Sequence, residues 1–409
     1  MNLRRLYMDN SATSFPKPQA VTDAMVKFAT ELGASASRGA YKEAFATGEM
    51  VLRCRKTLAQ LFHAETPENF IFTLNCTDAL NLAIKGLLGT GKKQHALCTQ
   101  ADHNSVLRPL HALVEYGWVD RTVVPLDPMT GAVNPADIRK AIRPNTRLIV
   151  AAHVSNVSGA IQDIRAIGTI AREHGIPFLV DAAQSAGHLP IHIEDDNIDL
   201  LAAPGHKGLL GPQGTGFLYI HPRLESRMNS FRQGGTGSLS EGDVQPEFMP
   251  DKFESGSLNA IGISGLLEGL QWICETTVER IRDTDEQLCK IFLDRLSGVK
   301  GLCVYGPKLP KHRVGVFSVR LDGMTPLQLA QTLEQEYGVL TRSGLHCAPL
   351  MHRFLGTLDT GGTTRFSFGP FLTEENVRDA TDALLSIAAL RQKHPTWTEQ
   401  RKASFAEVS

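Results

Sequence analysis

Between about residues 16 and 270 the chain alternates helical patterns with short apolar runs that end in polar residues, the signature of an α/β unit around a mainly parallel sheet. The runs fall at 69–73, 95–99, 122–125, 147–153, 177–180, 198–203 and 216–220, with helical stretches such as 77–88 and 164–174 between them. Ligands of such sheets bind beyond the carboxyl ends of the strands, so the residues that follow each run are the candidates for chemistry. They are Asn75-Cys76-Thr77-Asp78, Ala101-Asp102-His103-Asn104, Ser155-Asn156, Asp181-Ala182-Ala183-Gln184 and Pro204-Gly205-His206-Lys207. Downstream, the glycine-rich stretch Gly234-Gly235-Thr236-Gly237-Ser238 and a break at Pro246 and Pro250 lead into one long helical pattern over 261–296, read as a crossover. Residues 298–390 then read as strand, helix, strand, strand, helix, a smaller α+β unit. The division expected is a large unit over 16–270, a smaller one built from 1–15 and 271–390, and a polar tail over 391–409.

Composition narrows the class. At 409 residues the chain is long enough for two or more structural units, and 42% hydrophobic with 21% charged residues fits an ordinary globular protein. A formal net charge of -1 supplies no field for gathering nucleic acid or anionic membrane, so small molecules and other proteins are the expected partners. No apolar stretch approaches the roughly 20 residues needed to span a bilayer, and no leader peptide is expected ahead of Leu6-Tyr7-Met8-Asp9-Asn10. The seven cysteines, at 54, 76, 98, 274, 289, 303 and 347, are scattered and lack the spacing of zinc sites or a disulfide framework, which points to a reducing cytoplasm. Cys98, Cys274 and Cys289 read as buried apolar residues, whereas Cys347 stands in a polar, glycine-containing neighbourhood.

Two nucleotide or metal signals fail on inspection. Gly86 to Lys93 matches the start of a Walker A pattern, but Lys93 stands where Ser or Thr should hold magnesium, and the segment follows a helix instead of a strand. The histidines show no metal-ligand spacing. The better anion site is Asn75-Cys76-Thr77-Asp78, where a strand meets a helix start, with Thr77 as the expected cap; plain helix capping is the competing reading. Lys207, in Gly205-His206-Lys207-Gly208, lies at a strand's ligand-facing end, where desolvation favours a Schiff-base nucleophile and glycines let backbone approach a ligand. Asp181 can then keep a pyridine nitrogen protonated.

These blocks together resemble the class V, fold-type I pyridoxal-phosphate enzymes, in the cysteine desulfurase and selenocysteine lyase group. The likeness runs through Tyr7-Met8-Asp9-Asn10-Ser11-Ala12-Thr13-Ser14, Thr77-Asp78-Ala79, His153-Val154-Ser155-Asn156, Val180-Asp181-Ala182-Ala183-Gln184, Gly205-His206-Lys207 and Phe253-Glu254-Ser255-Gly256-Ser257, in the family's order. The resemblance implies pyridoxal 5'-phosphate as cofactor, carried covalently by Lys207, with Asp181 at the pyridinium nitrogen and His103 stacked on the ring as a proton relay. It implies Asn156 and Gln184 near the ring hydroxyl, and phosphate contacts from the Cys76-Thr77 backbone, the Thr77 hydroxyl and His206. It further implies a homodimer in which Ser257 reaches the partner's cofactor, although Ser257-Leu258 replaces the common Thr-Pro.

Arg342-Ser343-Gly344-Leu345-His346-Cys347-Ala348 resembles the catalytic-cysteine loop of the type II (SufS-like) desulfurases, which makes Cys347 the sulfur acceptor. The neighbouring His346 and Arg342 read as cationic support for its thiolate. Arg365 falls where the family binds the substrate carboxylate, with Arg342 assisting. The expected reaction converts L-cysteine to L-alanine with a persulfide on Cys347, to be discharged onto a sulfur-acceptor protein. Left open by the sequence are selenocysteine lyase acting on L-selenocysteine, another class V reaction such as transamination or β-elimination, and a silent subunit, which the intact Lys207 and Asp181 argue against.

Overall fold

The computed structural model of the chain describes residues 4–36, 39–89, 93–239 and 241–393. Part of the Walker-like segment and most of the polar tail lie outside the described residues. All seven apolar runs are strands of one sheet, in the order Phe70–Thr73, Gly216–Ile220, Leu200–Pro204, Phe178–Asp181, Thr146–Ala152, Gln94–Thr99, Val119–Val124. Gly216–Ile220 runs antiparallel to both of its neighbours, and the other adjacent pairs are parallel. The sheet is therefore mainly parallel, as expected of a fold-type I transferase.

Alternation along the strands sorts their side chains onto two faces. Ile71, Cys98, Val150, Leu179 and Ala202 pack with Leu80, Ile84 and Leu110 of helices Cys76–Leu88 and Asn104–Glu115. Phe70, Leu97, Ile149, Val180 and Ala203 face the other way, onto helices Lys42–Phe62, Ile164–Glu173 and Ala260–Thr276. Burial on both faces is why the central strands are apolar without a break, while the edge strand Val119–Val124 tolerates Asp120, Arg121 and Thr122.

A second sheet, antiparallel throughout, has the order Arg342–Gly344, Thr363–Ser367, Val316–Leu321, Leu302–Val304. Its core joins Phe317 and Phe366 to Phe292 of helix Val278–Leu296 and Leu384 of helix Glu374–Lys393. Leu6–Tyr7 pairs in parallel with Val339–Leu340 beside it. The single helix expected over 261–296 is two. Thr277, at φ 71°, ends Ala260–Thr276, and its hydroxyl accepts from Arg280 N at 3.3 Å to start Val278–Leu296. A threonine that caps a new helix interrupts the axis without interrupting the apolar periodicity.

The strand order positions the site. Val119–Val124 and Thr146–Ala152 lie on opposite sides of Gln94–Thr99, so the direction of the crossovers reverses there. Such a reversal opens a crevice at the carboxyl ends of the strands.

Candidate active site

That crevice brings together Cys76, Thr77, His103, Asn156, Asp181, Gln184, His206 and Lys207, which come from five strand ends. The corner expected to take an anion is the start of helix Cys76–Leu88, whose first N–H groups have no intrahelical acceptor. Asn75, and not Thr77, is the cap: its Oδ1 accepts from Asp78 N at 2.9 Å, and Asp78 Oδ2 in return accepts from Leu74 N at 3.0 Å. With this helix starting at Cys76, Thr77 is left free to turn its hydroxyl toward Ser105 Oγ, 2.9 Å away.

Lys207 lies behind this corner. Burial lowers its amine pKa, and Arg365 and Arg342 push the same way while Asp181 opposes them. Asp181 closes its strand; burial raises its pKa, against the N–H of Ala183 at 2.9 Å and the thiol of Cys76, which donates to Oδ1 at 3.5 Å. Cys76, expected to act through its main chain, thus makes a side-chain contact to Asp181. His206 has a buried Nδ1 without a partner, and its carbonyl accepts from Ser14 N at 2.9 Å and from the Thr13 hydroxyl at 3.1 Å. Ser11 N in turn donates to Ser367 Oγ at 2.8 Å, and Ser11 O accepts from Gln184 Nε2 at 3.2 Å, so the motif at residues 10–14 fastens the lysine loop to the second sheet. The glycines around Lys207 are required by packing within the protein itself. A Cβ on Gly205 would stand 2.1 Å from Thr215 Oγ1, and one on Gly208 2.3 Å from the Ala186 carbonyl.

His103 caps helix Asn104–Glu115 with its ring: Nδ1 accepts from Ser105 N at 3.1 Å. Burial, then Lys207, Arg342, Arg365 and Arg108, hold its pKa down to about 4. Beneath it the fully buried Asp102 accepts from Thr99 N at 2.6 Å and Ala152 N at 2.7 Å, which ties the two strand ends at the crossover reversal. Asp102 carries no expected role from the sequence, yet its place between a strand end and His103 was a usable signal.

Arg342, Arg365 and Cys347 are not among the residues that line this crevice, although the charges of Arg342 and Arg365 act on His103 and Lys207 inside it. Arg365 is 1% exposed and held on both arms: Nη2 pairs with Asp9 Oδ1 at 2.8 Å, Nη1 donates to Asn156 O at 3.2 Å, and Nε has no partner. Asn156, expected at the ring hydroxyl, spends its Nδ2 on the His346 carbonyl at 2.7 Å. Asn104 N donates to the Cys347 carbonyl at 2.8 Å. These two bonds pin an exposed Cys347 to the rim one residue beyond His103. His346 and Cys347 have φ of 48° and 57°, left-handed values that cost roughly 1–2 kcal/mol each and persist only where contacts hold them. The expected cationic support from His346 is corrected: the ring is buried, Nε2 faces Thr363, and burial keeps it neutral, its pKa far below the ordinary value. Ser257 is exposed in a different cavity, with Arg232 and Glu254, and does not line the Lys207 crevice of its own chain.

Burial makes the fold acid-sensitive. His103, His153, His188, His206 and His352 are all held to about 4, and His346 lower still, chiefly by desolvation. Each depressed histidine stabilises the fold above its ordinary 6.5 and loses that contribution as pH falls toward 4. Asp102, raised to about 7, Asp285, raised to about 6, and Asp181 act in the opposite sense, since they stabilise at low pH and lose it as pH rises through the folded values. Six histidines outweigh three carboxyls, so thermal unfolding of the cofactor-free protein is expected at a lower temperature at pH 5 than at pH 7. An equal or higher midpoint at pH 5 contradicts this.

The groups left unspent toward the crevice fit a phosphorylated pyridine aldehyde: free N–H groups and the His206 Nδ1 for an anion, a lysine for the aldehyde, and a carboxylate for a ring nitrogen. The aminotransferase class-V family model matches residues 6–379. A probable cysteine desulfurase from Methanothermobacter thermautotrophicus is 33% identical over 387 residues, covering 94% of this chain and 95% of the relative. Among solved structures, an apo cysteine desulfurase from Thermococcus onnurineus superposes with a TM-score of 0.88 at 30% identity, covering 94% of this chain and 95% of the other. An S-sulfonic acid form of a cysteine desulfurase from Escherichia coli superposes with a TM-score of 0.82 at 25% identity, covering 94% of each. A match that spans both sheets and includes Lys207 and Cys347 leaves one placement: the chain belongs to the aminotransferase class-V family and, within it, to the cysteine desulfurase group.

Proposed function

We propose that this chain is a pyridoxal 5'-phosphate-dependent cysteine desulfurase that moves sulfur from L-cysteine onto Cys347 and releases L-alanine. The observation that carries the reading is the pinning of an exposed cysteine to the rim of a crevice that already holds Lys207, Asp181 and His103. When bound, the cofactor supplies an electron sink for charge that develops at the substrate Cα. Its phosphate would be held by the first N–H groups of helix Cys76–Leu88, the Thr77 hydroxyl and His206 Nδ1. Asp181 holds a proton at the ring nitrogen, and Lys207, its amine made less basic by burial, takes the Cα proton at Nζ.

Sulfur transfer belongs to Cys347. Its thiolate attacks the substrate sulfur; the new S–S bond forms as the substrate Cβ–S bond breaks, the electron pair passes to Cβ, protonation there completes the methyl group, and the proton held on Lys207 Nζ returns to Cα to give alanine. Cys347 is left as a persulfide, and its exposure suits discharge to the thiol of a sulfur-acceptor protein. Ser257 lies outside the crevice of its own chain, which fits a homodimer in which it reaches the partner's phosphate. The reading is tested by alanine and sulfide formation from L-cysteine with a reductant.

Arg365 orients the substrate carboxylate through its free Nε edge, held still by Asp9 and Asn156. Arg365→Lys removes the planar fork while keeping a charge. Losing a charge-assisted bond of about 1.5–3 kcal/mol corresponds to a ~10–100-fold fall in kcat/KM, expressed mainly as a higher KM for L-cysteine. An unchanged KM places the carboxylate elsewhere.

A further inference from the structure

The chemistry above uses His103 and Thr77 but leaves Ser105, which stands between them. Its main-chain N–H donates to His103 Nδ1 at 3.1 Å, its hydroxyl lies 2.8 Å from the same nitrogen, and Thr77 Oγ1 is 2.9 Å from that hydroxyl. A neutral imidazole has one acceptor nitrogen, and here Nδ1 receives the Ser105 N–H, so the ring proton resides on Nε2. A hydroxyl has one hydrogen to give. If Ser105 donates to Nδ1, Thr77 fills its acceptor side and turns its own hydrogen away from the anion corner. If Ser105 donates to Thr77 instead, the Thr77 hydrogen is released toward that corner, and Nδ1 keeps the main-chain bond. An anion at the helix start selects the second arrangement, because it needs donors.

We propose that Ser105 is a positioning residue of this site: it sets the Nε2–H tautomer of His103 and, through the Thr77 hydroxyl, couples the state of that ring to the anion at the start of helix Cys76–Leu88. The coupling to Thr77 rests on the proposed phosphate site, whereas the hold on the ring does not. The strongest charge effects on His103 come from Lys207, Arg342, Arg365 and Arg108, all cationic and all opposed to a second proton on the ring. The tautomer is then a matter of hydrogen bonding: the Ser105 main-chain N–H fixes Nδ1 as an acceptor, and the Ser105 hydroxyl adds to that bond when it is not turned to Thr77.

The test uses the full-length protein with nitrogen-15-labelled histidine, wild type, Ser105→Ala and Ser105→Thr, with the His103 signals assigned from a His103→Gln spectrum. Binding of pyridoxal 5'-phosphate and of pyridoxal, which lacks the phosphate, is titrated in parallel. Ser105→Ala is expected to shift the His103 Nδ1 resonance and to weaken pyridoxal 5'-phosphate binding ~3–10-fold, the range of one neutral hydrogen bond, with a smaller loss for pyridoxal. Ser105→Thr, which keeps the hydroxyl, is expected to restore both. Equal losses for the two aldehydes, or an unmoved His103 signal, overturn the proposal and leave Ser105 as part of a helix start. If even the wild type fails to take up pyridoxal 5'-phosphate, the cofactor reading falls instead, and the His103 signals still decide whether Ser105 holds the ring.

Discussion

Lys207→Ala is expected to abolish alanine formation from L-cysteine, with a loss on the order of 10³-fold or more, because one side chain performs two tasks. In the proposed reaction it holds the cofactor covalently, and its Nζ takes the Cα proton, a role worth ~10²–10⁴-fold by itself. The site prepares the amine for both: burial lowers its pKa, and Arg365 and Arg342 add to the effect without touching it. The cofactor absorbance is expected to move to that of the free aldehyde. Lys207→Arg is expected to fail as completely, since a guanidinium stays protonated and cannot act as the nucleophile. Turnover by Lys207→Ala within ~10-fold of wild type would assign proton transfer to another group, with His103 the first to test.

Cys347→Ala is expected to lose alanine formation from L-cysteine by on the order of 10²–10⁴-fold while keeping the wild-type cofactor spectrum. The two effects separate because Cys347 stands on the rim and contributes nothing to the corner formed by Cys76, Asp181 and Lys207. Alanine keeps the Cβ, so the left-handed backbone at 347 is no more strained than before, and the Asn104 N and Asn156 Nδ2 bonds end on main-chain carbonyls of the loop, which survive the change. Any loss is therefore loss of the thiol. L-Selenocysteine supplies the contrast: a selenol is ionised at neutral pH and leaves carbon more readily. Selenium release from Cys347→Ala at the wild-type rate, with sulfur release also unchanged, would remove the persulfide from the reaction.

The sheet was largely legible in the sequence because each of its seven strands is a local signal, an apolar run ended by a polar residue. Strand order was not legible, since the reversal beside Gln94–Thr99 is set by packing between segments distant along the chain. Local capping chemistry misled in two places: Asn75 caps where Thr77 was expected, and Thr277 divides one apolar period into two helices. Charge read from adjacency misled at His346, whose neighbour along the chain is Cys347 but whose ring bonds to Thr363 in the second sheet. The partners of the expected residues were the least visible part. Asp9 holds Arg365 across 356 positions, and Ser105 meets Thr77 across 28, distances over which no sequence period carries information.

The central claim is that sulfur passes through Cys347. The most direct measurement is the mass of the peptide that contains Cys347 after the purified protein, loaded with pyridoxal 5'-phosphate, is mixed with one equivalent of L-cysteine without reductant and quenched with a thiol-blocking reagent. A gain of one sulfur atom on that peptide, matched by released alanine and absent in Lys207→Ala, is the predicted result. Alanine released with Cys347 unmodified and every added sulfur on another cysteine, or none on the protein, would contradict it.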